Sequence, residues 1–185
     1  QAVYDQMEVD LLARIDDDVV VAANAAVASA KCRQVASGGI YLTPDVINLV
    51  HAPASARKWA HLHHEKTDAL LELVEELQGS PLLVAYAFEH DLDRIRAKLQ
   101  KDVPYIGGGV TAKRSDELIK RWNKGELPVL LGHPQAVAHG VNLQQAGHHV
   151  CWYSLTWNFE LYDQFNRRVW RQGNTAQRVT IHHLI

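Results

Sequence analysis

The sequence predicts a three-layer α/β fold with a mainly parallel sheet, preceded by a helical N-terminal segment. From about Glu65 onwards, short continuous apolar runs such as "PLLVAYAF" and "LPVLLG" alternate with amphipathic segments such as "HDLDRIRAKLQ". A continuous apolar run is typical of a strand buried on both faces, and helices between such strands are typical of a parallel sheet covered on both sides. In such sheets, function concentrates in the loops beyond the carboxyl ends of the strands.

The chain is expected to form one domain, residues 1–185. Residues 1–38 are interpreted as a helical lead-in, because apolar residues recur every four positions in "VYDQMEVDLLARI" and an alanine-rich stretch follows until two glycines end it. The next stretch, "IYLTPDVINLVHAP", has two apolar runs around a Thr-Pro-Asp turn and predicts a hairpin or two short extended segments in a joint at residues 39–61. The α/β core then occupies residues 62–185.

Within this core, strands are predicted at the short apolar runs, and helices at segments whose apolar residues recur every three or four positions. In chain order the elements are helix "EKTDALLELVEELQ", strand "PLLVAYAF", helix "HDLDRIRAKLQ", strand "VPYI", helix "KRSDELIKRWNKG", strand "LPVLLG", a loop, strand "HHVCWYS", helix "ELYDQFNRRVWRQ" and strand "RVTIHHLI".

Composition limits the classes of function. The formal net charge is −2 and the isoelectric point is about 6.6, so contact with nucleic acid would need a local patch. Cys32 and Cys151 match no metal-binding spacing and indicate reduced thiols of the cytosol. No apolar run is long enough to span a membrane and no signal-peptide pattern is present, so we expect a cytoplasmic protein without a membrane partner. The chain starts with Gln rather than Met, which suggests that more protein lies upstream.

The sequence contains no phosphate-binding loop. The run closest to GxxxxGK[ST] is "GGGVTAKR", which has Ala112 in place of the second glycine and Arg114 in place of the hydroxyl that binds magnesium. No apolar strand ends in an acidic pair that could hold magnesium. The chain alone therefore has no evident means to hold ATP phosphates and Mg²⁺. No metal site is expected, because neither the cysteines nor the histidines of "HLHHEK" have partners at ligand spacing.

The most selective feature is the basic segment "DQFNRRVWRQGN". Helical spacing predicts that Gln164, Arg168 and Arg171 project from one side of a helix, while apolar residues at every fourth position anchor it to the core. Arg167 is turned about 100° from Arg168 and is expected to be an ordinary solvated or ion-paired side chain. The spacing leaves two interpretations open: arginine fingers that stabilise charge on a transferred phosphoryl group, or a surface helix whose arginines pair with nearby carboxylates.

Four segments, in order, resemble motifs of the Swi/Snf-type ATP-dependent DNA translocases of helicase superfamily two. "WNFELYDQFNRRVWRQGN" resembles motif VI, which reads WNP followed by QxxxRxxRxGQ, and "HGVNLQQAGHHVCWYS" resembles motif V, GxGLNL followed by a strand. "PLLVAYAFEHDLDRI" resembles motif IV, and "YIGGGVTAKRSDELIKRWNKG" resembles the family segment DGSTSxxxRxxxIxxFN. "DQMEVDLL" and "KCRQVASGGIYL" are similar to the helical lead-in of compact phage or bacterial members. The resemblance covers nearly the whole chain.

This resemblance implies a RecA-like domain that is the second of two motor lobes, with ATP and Mg²⁺ held mainly by a first lobe of the same protein. It implies that Arg168 and Arg171 are catalytic arginine fingers and that Gln164 and Gly140 contact ATP. Contacts to double-stranded DNA are implied for a set of mostly loop residues: Gly108, Gly109, Thr111, His139, Asn142 and Trp157. The implied location is the cytoplasm of a bacterium or of a phage-infected host cell.

Several positions depart from the family pattern. Phe159 replaces a proline, Asn174 replaces the last glutamine of motif VI, Gly107 replaces an aspartate, Ser115 stands where relatives often carry arginine, and His139 replaces a glycine. The leading hypothesis is a motor lobe of a DNA translocase that is inactive alone. The alternatives are a non-catalytic binding or regulatory module with the same fold, and a lobe of an RNA helicase.

Overall fold

The computed structural model describes residues 1–10, 12–15, 18–22, 24–42, 58–99, 102–138 and 140–185. In chain order the elements are α1 Ala2–Asp10, β1 Leu12–Ile15, β2 Asp18–Val21, α2 Ala25–Ser37, β3 Gly39–Tyr41, β4 Trp59–His61, α3 Glu65–Glu76, β5 Leu82–Ala85, α4 Glu89–Lys98, β6 Tyr105–Ile106, α5 Ala112–Asn123, β7 Val129–Gly132, α6 Pro134–Ala138, β8 His149–Trp152, α7 Phe159–Asn166 and β9 Thr180–His183. Contacts divide the chain into an N-terminal unit, residues 1–65 with 88–91, and a sheet unit, residues 66–87 with 92–185.

The sheet unit is built on five parallel strands in the order β6-β7-β5-β8-β9. Successive residues of the central strand β5 enter different cores: Leu83 and Ala85 pack in one apolar cluster, whereas Leu82 and Val84 pack in another. Both faces of the sheet are therefore covered. This confirms the predicted α/β class with a parallel sheet and explains why the strands are continuous apolar runs.

The loops that follow three of the parallel strands lie at the carboxyl edge of this sheet. Because β6, β7 and β8 are parallel, the residues that follow them, Gly107, His133 and Tyr153, lie along the same edge. The stretch after β7, predicted as a loop, begins with the five-residue helix α6. Burial lowers the pKa of His133, while a hydrogen bond involving the Ala87 backbone acts in the opposite direction.

The N-terminal unit corrects the helical interpretation of residues 1–38. Helices α1 and α2 are present, but β1 and β2 form an antiparallel hairpin between them. Ala13 and Val20 are partners in its register and are both fully buried. The physical reason is the run of β-branched valines in β2, which favours a strand once one face is buried. The four-residue apolar spacing was therefore misleading beyond α1.

Strands β3 and β4 pair antiparallel at the ends of the predicted joint, and residues 43–57, which hold most of the predicted hairpin, lie outside the described residues. The buried Lys31 donates from Nζ to the Tyr41 carbonyl at 2.6 Å, and its burial lowers its pKa to about 8. Helix α2 ends at Gly38, whose φ of 91° suits glycine. Among the described helices, none has the length and apolar content that a membrane crossing needs.

Candidate functional site

The arginine-rich segment is less helical than its spacing predicts. Helix α7 ends at Asn166, and Arg168 and Arg171 lie in the turns that follow. Side chains hold the backbone at and beyond the end of the helix: Asn166 Oδ1 accepts from the buried Trp152 indole at 3.0 Å, and the Val169 carbonyl accepts from Asn174 Nδ2 at 2.9 Å. The expected placement of the two arginines on one helical face with Gln164 is therefore wrong.

The anchoring of this segment is as expected. Phe165 and Val169 are fully buried in the core on one side of the sheet. Trp152, in the apolar strand β8, is also fully buried, and the centre of its ring lies 5.0 Å from that of Phe165. The turns that carry the arginines are thus held rigidly even though they are not helical.

The three arginines differ sharply in their partners. Arg167 donates from Nε to Asp163 at 2.6 Å and is largely exposed, which agrees with the expected ion-paired surface role. Arg168 donates from Nη2 to the Ala138 carbonyl, and its Nε is buried without a hydrogen-bond partner among the described residues. Arg171 donates from Nη1 to Asn142 Oδ1 at 2.7 Å. Within the described parts of the chain, neither Arg168 nor Arg171 pairs with a carboxylate.

The loop between α6 and β8, residues 140–148, packs directly on these turns. The Leu143 amide donates to the Arg168 carbonyl at 3.1 Å, and Asn142 holds Arg171 as described. Gly140 begins this loop with a φ of 79°, and an added Cβ would meet nothing within 4 Å. The structure therefore brings Gly140, Asn142 and both arginines into one region. His139, the remaining predicted member of this loop, lies outside the described residues.

Among the described residues, the Gln164 side chain forms its hydrogen bond within α7. Its amide donates from Nε2 to Glu160 Oε1 at 2.9 Å, one turn earlier on α7, and its side chain is half-buried. An i, i+4 contact of this type stabilises the helix itself.

Sequence reasoning missed the residues that support the loop. The fully buried Trp122 donates from Nε1 to the Leu143 carbonyl at 2.9 Å, and its neighbour Asn123 donates from Nδ2 to the Asn142 carbonyl at 2.8 Å. Asn174 donates to the carbonyls of Gly147 and Val169, both at 2.9 Å. Two signals were present: Trp122 and Asn123 lie where the segment DGSTSxxxRxxxIxxFN ends in FN, and Asn174 departs from the motif VI pattern. The contacts themselves join residues far apart in the chain.

A second group of predicted residues follows β6 at the carboxyl edge. Gly108 and Gly109 are exposed, and Gly109 has a φ of 78°. Thr111 is the N-cap of α5, and its hydroxyl accepts from the Arg114 amide at 3.3 Å. Just before them, Gly107 faces the Tyr86 hydroxyl, which would lie 2.1 Å from a Cβ at that position. A side chain at position 107 would therefore force the buried tyrosine to shift.

Trp157 lies at the opposite end of α7 from the arginines. It is 78% exposed, and Phe159 beside it is 77% exposed. Asn158 between them caps the helix by accepting from the Leu161 amide at 3.0 Å, so the backbone that presents both rings is held in place. Because α7 has eight residues, these rings lie roughly 12 Å along the helix axis from the turns that carry the arginines.

Comparisons with known proteins identify a family for most of the sheet unit. The family model described as helicase conserved C-terminal domain matches residues 65–173. The chain is 32% identical over 189 residues to putative protein p41 of Acyrthosiphon pisum secondary endosymbiont phage 1. That match covers all of this chain but only 37% of the phage protein, so the chain spans about a third of the length of that relative.

Similar solved structures include the C-terminal part of the Fun30 ATPase domain, with a TM-score of 0.57 and 24% identity over 65% of this chain and 40% of that chain. S. cerevisiae Dbp5 bound to RNA and ADP BeF3 has a TM-score of 0.54 and 21% identity over 65% and 32% of the two chains. The E. coli DEAD-box protein SrmB bound to RraA has a TM-score of 0.55 and 21% identity over 66% and 71%. These likenesses show a shared fold.

Proposed function

Because the chain belongs to the helicase conserved C-terminal domain family, and is thus part of a helicase-like ATPase, we propose that it is the second motor lobe of an ATP-dependent DNA translocase. In this proposal the first lobe lies upstream in the same protein and holds ATP and Mg²⁺. The present chain supplies arginine fingers to the nucleotide and contacts to the nucleic-acid backbone. Alone it hydrolyses little or no ATP.

The observation that carries the proposal is the unequal pairing of the three arginines. Arg167 forms an ion pair with Asp163, whereas Arg168 and Arg171 contact only neutral oxygens among the described residues. A guanidinium hydrogen-bonded only to neutral oxygens is not offset by a carboxylate partner, so its charge remains available to a phosphate. The two arginines also sit in turns anchored by fully buried side chains, so their positions are organised before any nucleotide arrives.

The residues fit a nucleotide phosphate at this place. The buried Arg168 Nε without a partner among the described residues is a donor in need of an acceptor, and the open space beside Gly140 allows a close approach to the backbone. ATP with Mg²⁺ would supply the phosphoryl group for hydrolysis. Arg168 and Arg171 would stabilise the charge that develops on that group, an effect worth about 10³ to 10⁵ in rate for an arginine finger.

The nucleic-acid contacts are proposed on the other predicted residues. Gly108 and Gly109 would offer backbone amides to phosphates, with Thr111 beside them, while the exposed ring of Trp157 suits contact with bases. Asn142 would contribute its Nδ2 donor, because its Oδ1 accepts from Arg171. His139 is included by resemblance only. Such local and partly uncharged contacts are compatible with a net charge of −2.

The proposed mechanism is closure of a cleft between two lobes. Arg168 and Arg171 would be drawn towards bound ATP, bringing the lobes together, and hydrolysis would release them so that the grip on DNA alternates. The setting would be the cytoplasm of a bacterium or an infected host, which the phage relative supports. A lobe of an RNA helicase is the second candidate, because the fold is shared with Dbp5, whose solved structure contains RNA. The third is a non-catalytic module with the same fold.

The test uses the protein that includes the upstream lobe, with nucleic-acid-stimulated ATPase as the measurement. We expect Arg168→Ala and Arg171→Ala each to lower the stimulated rate by about 10³-fold or more. Arg167→Ala is the matched control and should stay within roughly twofold, because an exposed ion pair contributes little. Wild-type turnover by either finger variant, or substantial turnover by the 185-residue chain alone, would contradict the proposal.

The choice of nucleic acid separates the first two candidates. Duplex DNA is expected to stimulate the ATPase of the longer protein more strongly than duplex or single-stranded RNA. Stronger stimulation by RNA would favour the RNA helicase lobe. A gene whose upstream sequence encodes no ATP-binding lobe would favour the non-catalytic module.

A further inference from the structure

We infer that Asn123 is a positioning residue that fixes Arg171 through Asn142 and that helix α5 thereby links the Gly108–Thr111 loop to the arginines. This inference rests on the proposed function, since it concerns the alignment of a proposed arginine finger. It assigns a role to a residue at the end of α5 that touches neither nucleotide nor nucleic acid in the proposal.

Both polar atoms of the Asn123 side chain bind the loop between α6 and β8. Its Nδ2 donates to the Asn142 carbonyl at 2.8 Å, and its Oδ1 accepts from the Gln145 amide at 3.3 Å. An amide side chain that donates and accepts at once bridges the loop backbone at two points. The backbone at Asn142 and Gln145 is therefore held relative to the end of α5.

Asn142 passes this constraint to Arg171. The carbonyl of Asn142 is held by Asn123, and its side-chain Oδ1 accepts from Arg171 Nη1 at 2.7 Å. Only two single bonds separate the held backbone from the amide that receives the guanidinium. A shift of the loop backbone therefore moves the acceptor of Arg171 by a similar distance.

The neighbouring Trp122 makes a parallel connection towards Arg168. Its indole donates to the Leu143 carbonyl at 2.9 Å, and the Leu143 amide donates to the Arg168 carbonyl at 3.1 Å. Trp122 is fully buried and would leave a cavity if replaced. Asn123 is only partly buried and can be replaced without one, so it is the residue that tests the link.

Helix α5 connects the Gly108–Thr111 loop to Asn123. It has twelve residues and is therefore about 18 Å long. Its N-cap is Thr111, directly after the exposed Gly108 and Gly109 that are proposed to contact nucleic acid. A rigid helix thus has the proposed nucleic-acid loop at its start and the support of the Arg171 acceptor at its end. Nucleic acid bound at the start of α5 would therefore change the position of Arg171 through the contacts at the end of the helix.

The first test measures ATPase activity in the protein with both lobes. Asn123→Ala should lower the DNA-stimulated kcat by about tenfold or more, since a misplacement of about 1 Å costs up to 10²-fold, while KM for ATP stays within roughly twofold. Lys124→Ala, at a largely exposed neighbour, is the control and should leave kcat and its stimulation unchanged. Wild-type stimulation in Asn123→Ala would overturn the inference.

A double-mutant cycle distinguishes positioning from a general loss of structure. If Asn123 acts on Arg171 through Asn142, then Asn123→Ala should have little further effect on kcat once Asn142→Ala is present. Additive losses would show that Asn123 acts elsewhere and would overturn the inference.

Hydrogen exchange on the 185-residue chain supplies a readout that needs no activity. The Gln145 amide should exchange faster in Asn123→Ala but remain protected in Asn123→Asp, which keeps the acceptor oxygen. Asn123→Asp should nevertheless lower kcat in the longer protein, because it sets an oxygen against the Asn142 carbonyl. Unchanged exchange in Asn123→Ala would overturn the inference. If the unsubstituted longer protein shows no ATPase, the proposed function fails, and exchange still decides whether Asn123 holds the loop.

Discussion

Gly107→Ala is expected to destabilise the fold because one buried hydroxyl occupies the space a side chain would need. A Cβ built on Gly107 would lie 2.1 Å from Tyr86 Oη, 3.3 Å from Tyr86 Cζ and 3.3 Å from His133 Cβ. Tyr86 is 3% exposed and belongs to one of the two cores of the sheet, so its ring has little freedom to move. The contact lies at the start of the proposed nucleic-acid loop.

The size of the effect follows from these distances. Overpacking a well-packed site typically costs about 1 to 3 kcal/mol, and Gly107→Ala should fall in that range. Tyr86→Phe removes the atom at 2.1 Å and leaves both remaining neighbours at 3.3 Å, which a shift of a few tenths of an ångström accommodates. Tyr86→Phe alone should cost about 0.5 to 1.5 kcal/mol for its buried hydroxyl. The double variant should then be no less stable than Tyr86→Phe.

Urea unfolding of the 185-residue chain, followed by tryptophan fluorescence and far-UV circular dichroism, measures all four members of this cycle. The expected coupling is about 1 to 3 kcal/mol in favour of the double variant. A Gly107→Ala protein within about 0.5 kcal/mol of wild type, or strictly additive effects of the two substitutions, would refute the reasoning. Either result would mean that the Tyr86 hydroxyl does not exclude a side chain at position 107.

Two further predictions concern the helix start and the last two strands. Phe159→Pro should change the free energy of unfolding by less than about 1 kcal/mol, because proline is favoured at the first helical position and Phe159 directly follows the extended N-cap Asn158; a larger loss in urea unfolding would contradict the assigned start of α7. Burial lowers the pKa of His149 and His182, whose rings approach to 3.2 Å between Nδ1 and Nε2. The neutral forms are favoured in the fold, so their contribution is fully present above the unfolded-state pKa of about 6.5 and is lost as pH falls through the window towards the lowered folded pKa. Thermal unfolding between pH 7.5 and 5 should show this loss, and His182→Gln should reduce its slope; an unchanged slope would count against it.

The α/β class and the five parallel strands were predictable because burial leaves a local trace. A strand covered on both faces must be apolar along its length, and a helix covering a sheet must be apolar at every third or fourth position. The same reasoning failed at the N-terminus. The spacing of "VYDQMEVDLLARI" suits one helix, but the end of this stretch forms β1, which pairs with the valine-rich strand β2. Periodicity alone cannot weigh a local helix against a strand whose partner lies on an adjacent segment.

The sequence by itself also identified the segments of the candidate site, because Arg168, Arg171 and the loop around Asn142 lie in recognisable motifs. It could not show that α7 ends at Asn166, because the helical spacing of apolar residues continues through Phe165 and Val169. It did anticipate that Arg167 would be a solvated or ion-paired side chain. Arg167 finds a carboxylate four residues away, which local spacing can anticipate.

Only the tertiary structure decided the partners of the other two arginines and the role of Asn123. Arg168 bonds to a residue 30 positions away, Arg171 to one 29 positions away, and Asn123 to one 19 positions away. Hydrophobic patterning shows which face of a helix or strand is buried, but it does not show which other element packs against that face. Partners at such separations are therefore set by how the strands and helices dock, which a single sequence read locally does not contain.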